Sequence, residues 1–582
     1  MKIHYLKIDG FKNLKDFKMD LRDNTQDIFI TVGKNGTGKS NVLEALVLIY
    51  RNLFMFEKKP IADINKETVS KSNFPLFDFT IEYECNGFEI KVVFEKTKEG
   101  KEQLSLFPEQ EESTVDFIDR TYKFYVKSAK KWEEIGKSGK VEGKNYFYDK
   151  NDSNEFKYLP SYVFAYYSGI SNRLEEHFDF HQKQFYDDLL KGKDEPFRPL
   201  FYARPIHSNF VLLAFYAFNM DDKVKRFLAD KLNIVGFDSA LFVIRKPEWK
   251  SNEGDIRFWK AKGIVAKFLD RLFSKSLMPV KDKVEVRTDF RHSEKRDCWF
   301  LYLENQEKLQ ELAQTYNNTG NGNVEFFKAL ESTYISDLIH ETRIKVKKSN
   351  TNNSITFKEL SEGEQQLLTV LGLLKFTNHA ESLFLLDEPD THLSPIWGHE
   401  YLNMLTEVAD FTAEGGKQTK SQMFISTHKP TTVSGLQKEQ ILVFENDEKG
   451  RTLISNPDMS AKGLTSDGIL TQIFEMQYTY DEDTYNQMLT RRKLFAKQLH
   501  DKENFTKEDA KNLAELTTEL SDYSANYADG LFYEFVHELE KSGGLDTYRQ
   551  INLSDEDKEL RRKKAEEILA ELRQKRNSQK QQ

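Results

Sequence analysis

The strongest chemical pattern in the sequence is a glycine-rich run near the N-terminus that ends in lysine and serine. It fits the pattern GxxxxGK[ST] and consists of Gly33, Lys34, Asn35, Gly36, Thr37, Gly38, Lys39 and Ser40. Its glycines allow successive backbone N–H groups to turn inward around phosphate oxygens. We therefore expect Lys39 to reach the β- and γ-phosphates of ATP, and the Ser40 hydroxyl to hold Mg²⁺.

Two adjacent acids, Asp387 and Glu388, follow the apolar run at 383–386. Such a run is typical of a buried parallel strand that brings an acid to its C-terminal edge, where α/β sheets bind ligands. We expect Asp387 to hold Mg²⁺, directly or through water, and Glu388 to polarise the attacking water. An apolar run that ends in Asp-Glu is common in proteins. Because the same chain contains the phosphate loop, the functional interpretation is favoured here.

A third pattern, LSEGEQQ at 360–366, opens a segment with helical spacing of apolar residues. Ser361 and Glu364 have the spacing of a capping box, which is a purely structural interpretation. A helix N-terminus with Ser361 and Gly363 is also suited to bind a phosphate. Both interpretations stay open at this point.

His428 ends another apolar run, at 423–427. A lone histidine is more often structural than functional. At the end of a strand that follows the Asp387-Glu388 pair, however, a neutral imidazole is placed to contact the γ-phosphate and the attacking water.

In this order the four patterns resemble the motif set of ABC ATPases: Walker A, signature motif, Walker B with its catalytic glutamate, and switch histidine. The sequences IDGFKNL at 8–14, GKNGTGKS at 33–40 and LDEPDTHLSP at 386–395 are similar to the DNA-linked branch with SMC proteins, RecF and OLD nucleases. The globular insertion between Walker A and the signature resembles compact ATPases of bacterial anti-phage systems, such as PtuA of Septu and retron-associated ATPases.

The resemblance implies an α/β fold: an ABC-ATPase head of mixed sheet and flanking helices, a large globular insertion and a helical C-terminal extension. It also implies a homodimer, or an oligomer of dimers, in which Ser361, Gly363 and Glu364 of one copy complete the ATP–Mg²⁺ site of the other. One family ligand stays unassigned, because no glutamine follows the strand at 162–167 closely; Gln182 and Gln184 lie further on.

The function that the resemblance implies is ATP-dependent sensing or regulation in anti-phage defence, with a partner nuclease or toxin such as an HNH protein. The alternative is a DNA repair or recombination ATPase of the RecF/SMC type that acts directly on DNA; RNA is also left open as a ligand. We expect no nuclease site in this chain, since Asp78, Glu89 and Lys91 have a nuclease-like spacing but lie on a predicted hairpin.

The composition limits the classes of function that are possible for this chain. The chain has 582 residues and a formal net charge of −9, which argues against a surface coated for nucleic acid but leaves room for a local basic patch. Cys85 and Cys298 have no metal-ligand spacing and fit a reducing compartment. The N-terminus lacks an apolar signal region and the apolar stretch at 210–220 is too short to span a bilayer. We expect a soluble, cytoplasmic protein without a membrane partner.

Four regions are expected along the chain: an ATPase lobe at 1–174 with a projecting hairpin region, a mixed α/β insertion at 175–344, a second ATPase lobe at 345–445, and a helical extension at 446–582. Period-two alternation around Asn86-Gly87 predicts a hairpin at 73–98. Helical spacing at 209–232 and 257–275 predicts helices, and 283–303 reads as strand. In the extension, an aromatic stripe at 532–536 is a candidate docking face for a partner protein.

Overall fold

The computed structural model describes residues 1–55, 77–96, 120–128, 131–135, 156–169, 171–193, 198–218, 220–249, 253–287, 293–319, 322–351, 354–377, 380–408, 421–476, 479–501, 504–521 and 563. The chain divides into two compact units, Met1–Glu475 and Met476–Gln582, and each is described by itself.

The strands of the first unit are numbered in chain order. They are β1 Lys2–Asp9, β2 Phe17–Asp20, β3 Ile28–Gly33, β4 Asp78–Cys85, β5 Phe88–Lys96, β6 Arg120–Ser128, β7 Lys131–Glu134, β8 Tyr162–Tyr167, β9 Leu200–Tyr202, β10 Ile234–Arg245, β11 Val280–Arg287, β12 Ser293–Leu303, β13 Ile339–Lys348, β14 Ile355–Thr356, β15 Ser382–Asp387, β16 Gln422–Ser426, β17 Ile441–Asn446 and β18 Thr452–Ser455.

The helices of the first unit are α1 Lys39–Met55, α2 Asp179–Leu190, α3 Ile206–Ala217, α4 Asp222–Arg226, α5 Gly263–Lys275, α6 Gln306–Ala313, α7 Gly322–Ile335, α8 Glu362–Thr377, α9 Pro395–Val408, α10 Pro430–Val433 and α11 Ser466–Gln472. In the second unit, α12 spans Glu482–His500 and α13 spans Lys507–Ser521. Shorter 3-10 and π turns connect several of these elements.

The central sheet has the strand order β18-β17-β3-β16-β15-β8-β9, and all its strands except β18 run parallel. The three middle strands β3, β16 and β15 are buried along their whole length. This burial explains why each reads as a continuous apolar run and not as an alternating one. Because parallel strands end at one edge, the polar residues that follow these runs are brought together there.

A second, antiparallel sheet has the order β2-β1-β4-β5-β6-β7. Its β4–β5 hairpin confirms the predicted one, and its turn residues Asn86 and Gly87 both have positive φ, as a tight hairpin turn requires. Glu89 pairs with Glu84, whereas Phe79, next to Asp78, pairs with Phe94. Asp78 and Glu89 therefore lie at opposite ends of the hairpin, which separates the residues of the nuclease-like spacing.

The third sheet is antiparallel, with the order β11-β12-β10-β13-β14. Its central strand β10 was not predicted, and the strand expected at 283–303 consists of two strands, β11 and β12. The predicted helices near 209–232 and 257–275 correspond to α3 with α4 and to α5. These helices, with α6 and α7, cover one face of the sheet with apolar side chains.

The helical extension expected at 446–582 begins differently. Thr452–Ser455 forms β18, which pairs antiparallel with β17 and extends the central sheet. Helices follow only from Ser466 onward. The aromatic stripe at 532–536 lies outside the described residues. Within the described ranges, no helix combines the length and apolar character that a membrane crossing requires.

Helices α3 and α8 pack against each other at a glycine. A Cβ atom added at Gly372 of α8 would lie 2.1 Å from Cγ1 of Val211 on α3, both within one buried cluster. No real side chain tolerates that distance, so the glycine sets how closely the two helices approach. This contact supports the region just behind the signature segment, because Gly372 is in the helix that LSEGEQQ opens.

We expect Gly372→Ala to lower the melting temperature, because overpacking costs about 1–3 kcal/mol and outweighs the helix-propensity gain of about 1 kcal/mol. Thermal unfolding followed by circular dichroism measures this. Gly468→Ala in α11 is the control, since its nearest neighbour atom would be 3.4 Å away. The double variant Val211→Ala/Gly372→Ala should recover part of the loss. Equal stability of Gly372→Ala and the control would contradict this packing account.

Candidate nucleotide-binding site

The predicted phosphate loop connects β3 to α1. Gly33, Gly36 and Gly38 all have positive φ, of 142°, 82° and 103°. A Cβ at Gly33 would lie 2.3 Å from the carbonyl oxygen of Phe444 on β17, so only glycine fits between the two strands at this point. The loop is thus shaped by its glycines to turn its backbone toward the N-terminus of α1, where anions bind favourably.

Side chains from outside the loop hold it in place. Asn13 donates from Nδ2 to the carbonyl of Gly36 at 2.9 Å and accepts from Asn41 Nδ2 at 2.7 Å. Thr452 donates from Oγ1 to the carbonyl of Thr37 at 2.9 Å. Asn13 belongs to the IDGFKNL segment, so this segment contributes to holding the phosphate loop in place. The contribution of Thr452 could not be read from the sequence, because it depends on β18.

Lys39 is buried beneath the loop, with 5% of its surface exposed. Its ammonium donates to the carbonyls of Gly33 at 2.8 Å and Lys34 at 3.1 Å. Burial lowers the pKa of Lys39 to about 8, although the negative charges of Glu388 and Asp387 oppose this shift. Lys34 and Asn35, by contrast, are exposed at the tip of the loop.

Ser40 and Asp387, the two residues predicted to hold Mg²⁺, are in contact in the structure. The Ser40 hydroxyl donates to Asp387 Oδ1 at 2.9 Å, and the same oxygen accepts from the hydroxyl of Ser426 at the end of β16. A hydroxyl and a carboxylate oxygen side by side fit Mg²⁺, which takes oxygen ligands and usually keeps one or two protein ligands beside substrate phosphates and water. The described residues contain no cluster of three or more His, Cys, Asp or Glu arranged for a metal. Ser40 and Asp387 would be the two protein ligands of such an ion.

Arg173 also contacts this carboxylate. It was not among the predicted site residues. Its Nη2 donates to Asp387 Oδ2 at 2.8 Å, and its guanidinium lies over the ring of Tyr167, 5.0 Å from the centroid. The residue follows β8, the strand after which the family's missing ligand was sought. Gln182 lies on α2 and accepts instead from Arg204 Nη2 at 2.8 Å. In the sequence, Arg173 could have been found only from its position shortly after β8, where the family ligand was expected.

Two side-chain contacts, one with a histidine and one with an arginine, hold the segment that carries Arg173. His177 Nε2 lies 3.0 Å from Oε1 of Glu44, a buried residue of α1, and Arg204 Nε donates to Glu175 Oε1 at 2.6 Å. The segment is thereby tied both to the helix of the phosphate loop and to the residues just before α3.

Glu388 and His428 form the second half of the site. Glu388 Oε1 lies 3.1 Å from His428 Nε2, and this hydrogen bond lowers the pKa of Glu388 despite its partial burial. The backbone of Glu388 is left-handed, with φ of 52°, and its N–H donates to Ser426 Oγ at 3.1 Å. The acid is therefore ionised at neutral pH and is held by the neighbouring strand end as well as by the histidine.

The loop after Glu388 is fixed by β16 and the residues that follow it. Asp390 is buried and accepts from the hydroxyls of Thr427, at 2.6 Å, and Thr432. Lys429 Nζ donates to the carbonyls of Asp390, Thr391 and Leu393 at 2.7 to 3.0 Å. These contacts hold the segment between the acids and α9, whose His392 lies against Glu362 and Gly363 of the signature helix.

The signature residues lie at the N-terminus of α8. Ser361 and Glu364 form the capping box: the Ser361 N–H donates to Glu364 Oε2 at 2.8 Å, and the Glu364 N–H donates to Ser361 Oγ at 3.3 Å. A Cβ at Gly363 would lie 2.6 Å from the carbonyl oxygen of His392, so this glycine allows the 387–392 loop to approach. Ser361 is exposed, and in the described part of the chain no hydrogen bond joins it to the phosphate loop.

The fold and this arrangement fit an ABC-type ATPase head. Residues 1–221 match the family model described as "AAA ATPase domain", and residues 244–434 match one described as "AAA domain" and "Type IV TA system".

Parts of the chain are similar to three curated proteins. The chain is homologous to the Septu protein PtuA of Bacillus mycoides (strain KBAB4), with 26% identity over 39% of this chain and 32% of PtuA. It is also homologous to the "Retron Ec83 probable ATPase" of Escherichia coli, with 22% identity over 37% of this chain and 39% of that protein. The DNA replication and repair protein RecF of Rickettsia canadensis (strain McKiel) matches at 28% identity over 18% of this chain and 30% of RecF. The matches therefore span well under half of each relative.

We expect Arg173→Gln to lower the Mg²⁺ concentration needed for half-maximal binding of a fluorescent ATP analogue, because the guanidinium no longer competes for Asp387. Arg173→Lys, which keeps the charge, should stay nearer the wild type. Arg257→Gln, which removes an exposed arginine paired with Asp255 and Asp270, is the control and should not change the Mg²⁺ dependence. A higher Mg²⁺ requirement in Arg173→Gln would show that Arg173 assists the metal site and does not compete with it.

Proposed function

We propose that this protein binds and hydrolyses ATP as a homodimer and that the nucleotide state controls a partner nuclease or toxin in anti-phage defence. The observation that carries the ATPase proposal is the Glu388–His428 pair, held one residue beyond the Ser40–Asp387 contact. Nucleotide ligands and a general base thus meet at one sheet edge. Homology to the Septu protein PtuA and to the retron ATPase supports the defence role.

The residues divide the chemistry as follows. Lys39 and the backbone N–H groups of the loop hold the phosphates. Bound Mg²⁺, which Ser40 and Asp387 would hold, neutralises charge on the phosphate oxygens. Glu388 is ionised and accepts a proton from the attacking water. His428 orients that carboxylate through the 3.1 Å contact, and its imidazole would also contact the γ-phosphate.

In a single chain the signature residues do not reach the phosphate loop, and a dimer would bring them there. Ser361 and Glu362 are exposed at the N-terminus of α8, and the helix dipole there favours a phosphate. This N-terminus is joined to the acids of its own chain through the loop 387–392, with His392 Nδ1 lying 3.1 Å from Glu362 Oε2. In a symmetric pair, Ser361, Gly363 and Glu364 of each copy would face the phosphate loop of the other.

A DNA repair or recombination ATPase is the second candidate function, and the similarity to RecF favours it. Gene neighbourhood separates the two, since an adjacent HNH or reverse-transcriptase gene supports the defence role. A strain that lacks the gene supports the repair role if it becomes sensitive to DNA damage without any change in phage resistance.

We expect Glu388→Gln to bind ATP normally but to hydrolyse it about 10² to 10⁴ times more slowly, because an amide cannot accept the proton of water. Single-turnover hydrolysis and analogue binding measure the two effects. Lys39→Ala should instead lose binding itself, and Glu448→Gln, which changes an exposed acid in the β17–β18 turn, should behave as the wild type. Wild-type turnover in Glu388→Gln would mean that another group is the base.

The composite site predicts complementation between two inactive variants. Lys39→Ala and Ser361→Arg are each expected to be inactive alone, whereas their heterodimer contains one intact site. An equimolar mixture should therefore recover about a quarter of the wild-type activity if subunits exchange freely in a symmetric dimer. Light scattering confirms that both variants still dimerise. If the mixture stays inactive although heterodimers form, each site is built within one chain.

A further inference from the structure

A cavity lies at the open edge of the third sheet. β14 pairs with β13 only at Lys345 and Val346, so the stretch 340–343 of β13 has no strand neighbour on that side within the described residues. The cavity has a volume of about 240 Å³ and is lined by residues of α3, of this stretch of β13, of the turn 356–358 and of α8. This volume approaches the lower end of the range for small-molecule sites, about 300 Å³. The edge therefore has room for a small ligand.

Thr342 forms the wall of the cavity on the side of the sheet. It pairs with Phe242 of β10, whose side chain is buried in the core. Residues directly opposite each other on neighbouring strands lie on the same face, so the side chain of Thr342 points to the face that α3 covers. Thr342 is 7% exposed, and its hydroxyl has no hydrogen-bond partner in the described part of the chain. Because an unpartnered buried hydroxyl costs free energy, a ligand oxygen that accepts its proton would remove this cost.

The opposite wall is the N-terminus of α3. Pro205, Ile206 and Asn209 line the cavity there. Within the described residues no side chain caps this helix of 12 residues, and its first turn contains no acidic residue. The positive end of the helix dipole is therefore not compensated by the protein, and an anion in the cavity would compensate it. The Asn209 amide can donate a further hydrogen bond.

Lys358 provides the net charge of the cavity. The side chains of Glu341 and Arg343 alternate with Thr342 along β13, so they point to the other face of the sheet, where Arg343 Nη2 donates to Glu341 Oε2 at 2.7 Å. Partial burial and a neighbouring arginine lower the pKa of His340, so this residue is uncharged at neutral pH. Among the described residues that line the cavity, Lys358 is thus the one whose charge has no ion-pair partner. The cavity therefore favours an anion.

We propose that this cavity binds a small organic anion with an apolar body. Its carboxylate or phosphate group would lie between Lys358, the Thr342 hydroxyl and the N-terminus of α3. Phe357, which is buried, and Ile206 supply apolar lining for the rest of the molecule. Three independent features thus favour negative charge in one small cavity, and the single acid in its lining is already paired with Arg343.

A bound anion would contact the segment that leads into the signature helix. Phe357 and Lys358 belong to the 3-10 turn before Ser361, and Gln365 follows it in α8. Gln365 Nε2 donates to the carbonyl of Leu360 at 3.0 Å, so the lining and this segment are connected directly. None of the lining residues is assigned to ATP or Mg²⁺. The inference therefore goes beyond the proposed ATPase function, and either one can fail without the other.

Fluorine NMR of 4-fluorobenzoate, added to the full-length chain, tests the proposal. We expect line broadening with a Kd in the millimolar range, because a probe of about ten heavy atoms makes only part of the contacts of a full ligand. The neutral isostere 4-fluorobenzamide should bind at least about 5-fold more weakly, since its hydrogen bonds are not charge-assisted. An excess of ATP analogue with Mg²⁺ should not displace the benzoate. Displacement would place the probe in the phosphate loop and overturn the proposal.

Two variants test the lining. Thr342→Val, which keeps the shape of the side chain, should raise the Kd of 4-fluorobenzoate about 10-fold, because it removes a hydrogen bond to a charged group. Its melting temperature should equal or exceed that of the wild type, because the hydroxyl has no partner in the described part of the protein. Lys358→Gln should raise the Kd about 2- to 5-fold, as expected for an exposed charge.

Lys345→Gln is the matched control, because it removes an exposed lysine of β13 that does not line the cavity. Its Kd for 4-fluorobenzoate should be that of the wild type. The proposal is overturned if 4-fluorobenzoate does not bind at millimolar concentration, or if the benzamide binds equally well. Unchanged affinity in Thr342→Val, or equal losses in Lys358→Gln and the control, also overturns it.

Discussion

The site depends on the hydrogen bonds that the buried carboxylate of Asp387 accepts. This residue is 2% exposed, and it accepts from Ser40, which is 347 residues away in sequence, from Ser426, and from Arg173. A buried carboxylate without such partners would be strongly destabilised. Its partners lie at or beyond the ends of three other elements: α1, β16 and β8. The buried charge of Asp387 is therefore tolerated only when the central sheet has brought these elements to one edge. The site consequently forms together with the fold.

Lys39 presents the opposite problem at the same edge. Its ammonium is buried and bonded only to backbone carbonyls, so its pKa falls to about 8. Carbonyl dipoles compensate a buried charge less fully than an anion does. In the proposed ATP complex, a phosphate group would supply the missing negative charge. The buried ammonium of Lys39 would thus be compensated by the nucleotide that it helps to bind.

The sequence predicted those parts of the site that lie in local patterns. Lys39, Ser40, Asp387, Glu388 and His428 each end or begin an element whose apolar run identifies it, and parallel strands bring such ends together. The contributions of Arg173 and Thr452 escaped prediction because they arise from strand neighbours, which local periodicity does not encode. The same reason explains β18, which is too short to show a period, and the third sheet, whose order joins β10 to β12 and β13 across long insertions. For Ser361 the sequence left the capping box and the phosphate site both open, and the capping box is the one that the single chain forms.

Glu388 places a long acidic side chain on a left-handed backbone, at φ of 52°. That conformation costs a residue of this type about 1 kcal/mol, whereas glycine and asparagine adopt it more readily. Selection for folding alone would therefore move this position away from glutamate. In a lineage that no longer needs the activity, the acid should be among the first residues to drift, and the fold would outlast the chemistry. A glutamate in this conformation agrees with the proposed role of Glu388 as the general base.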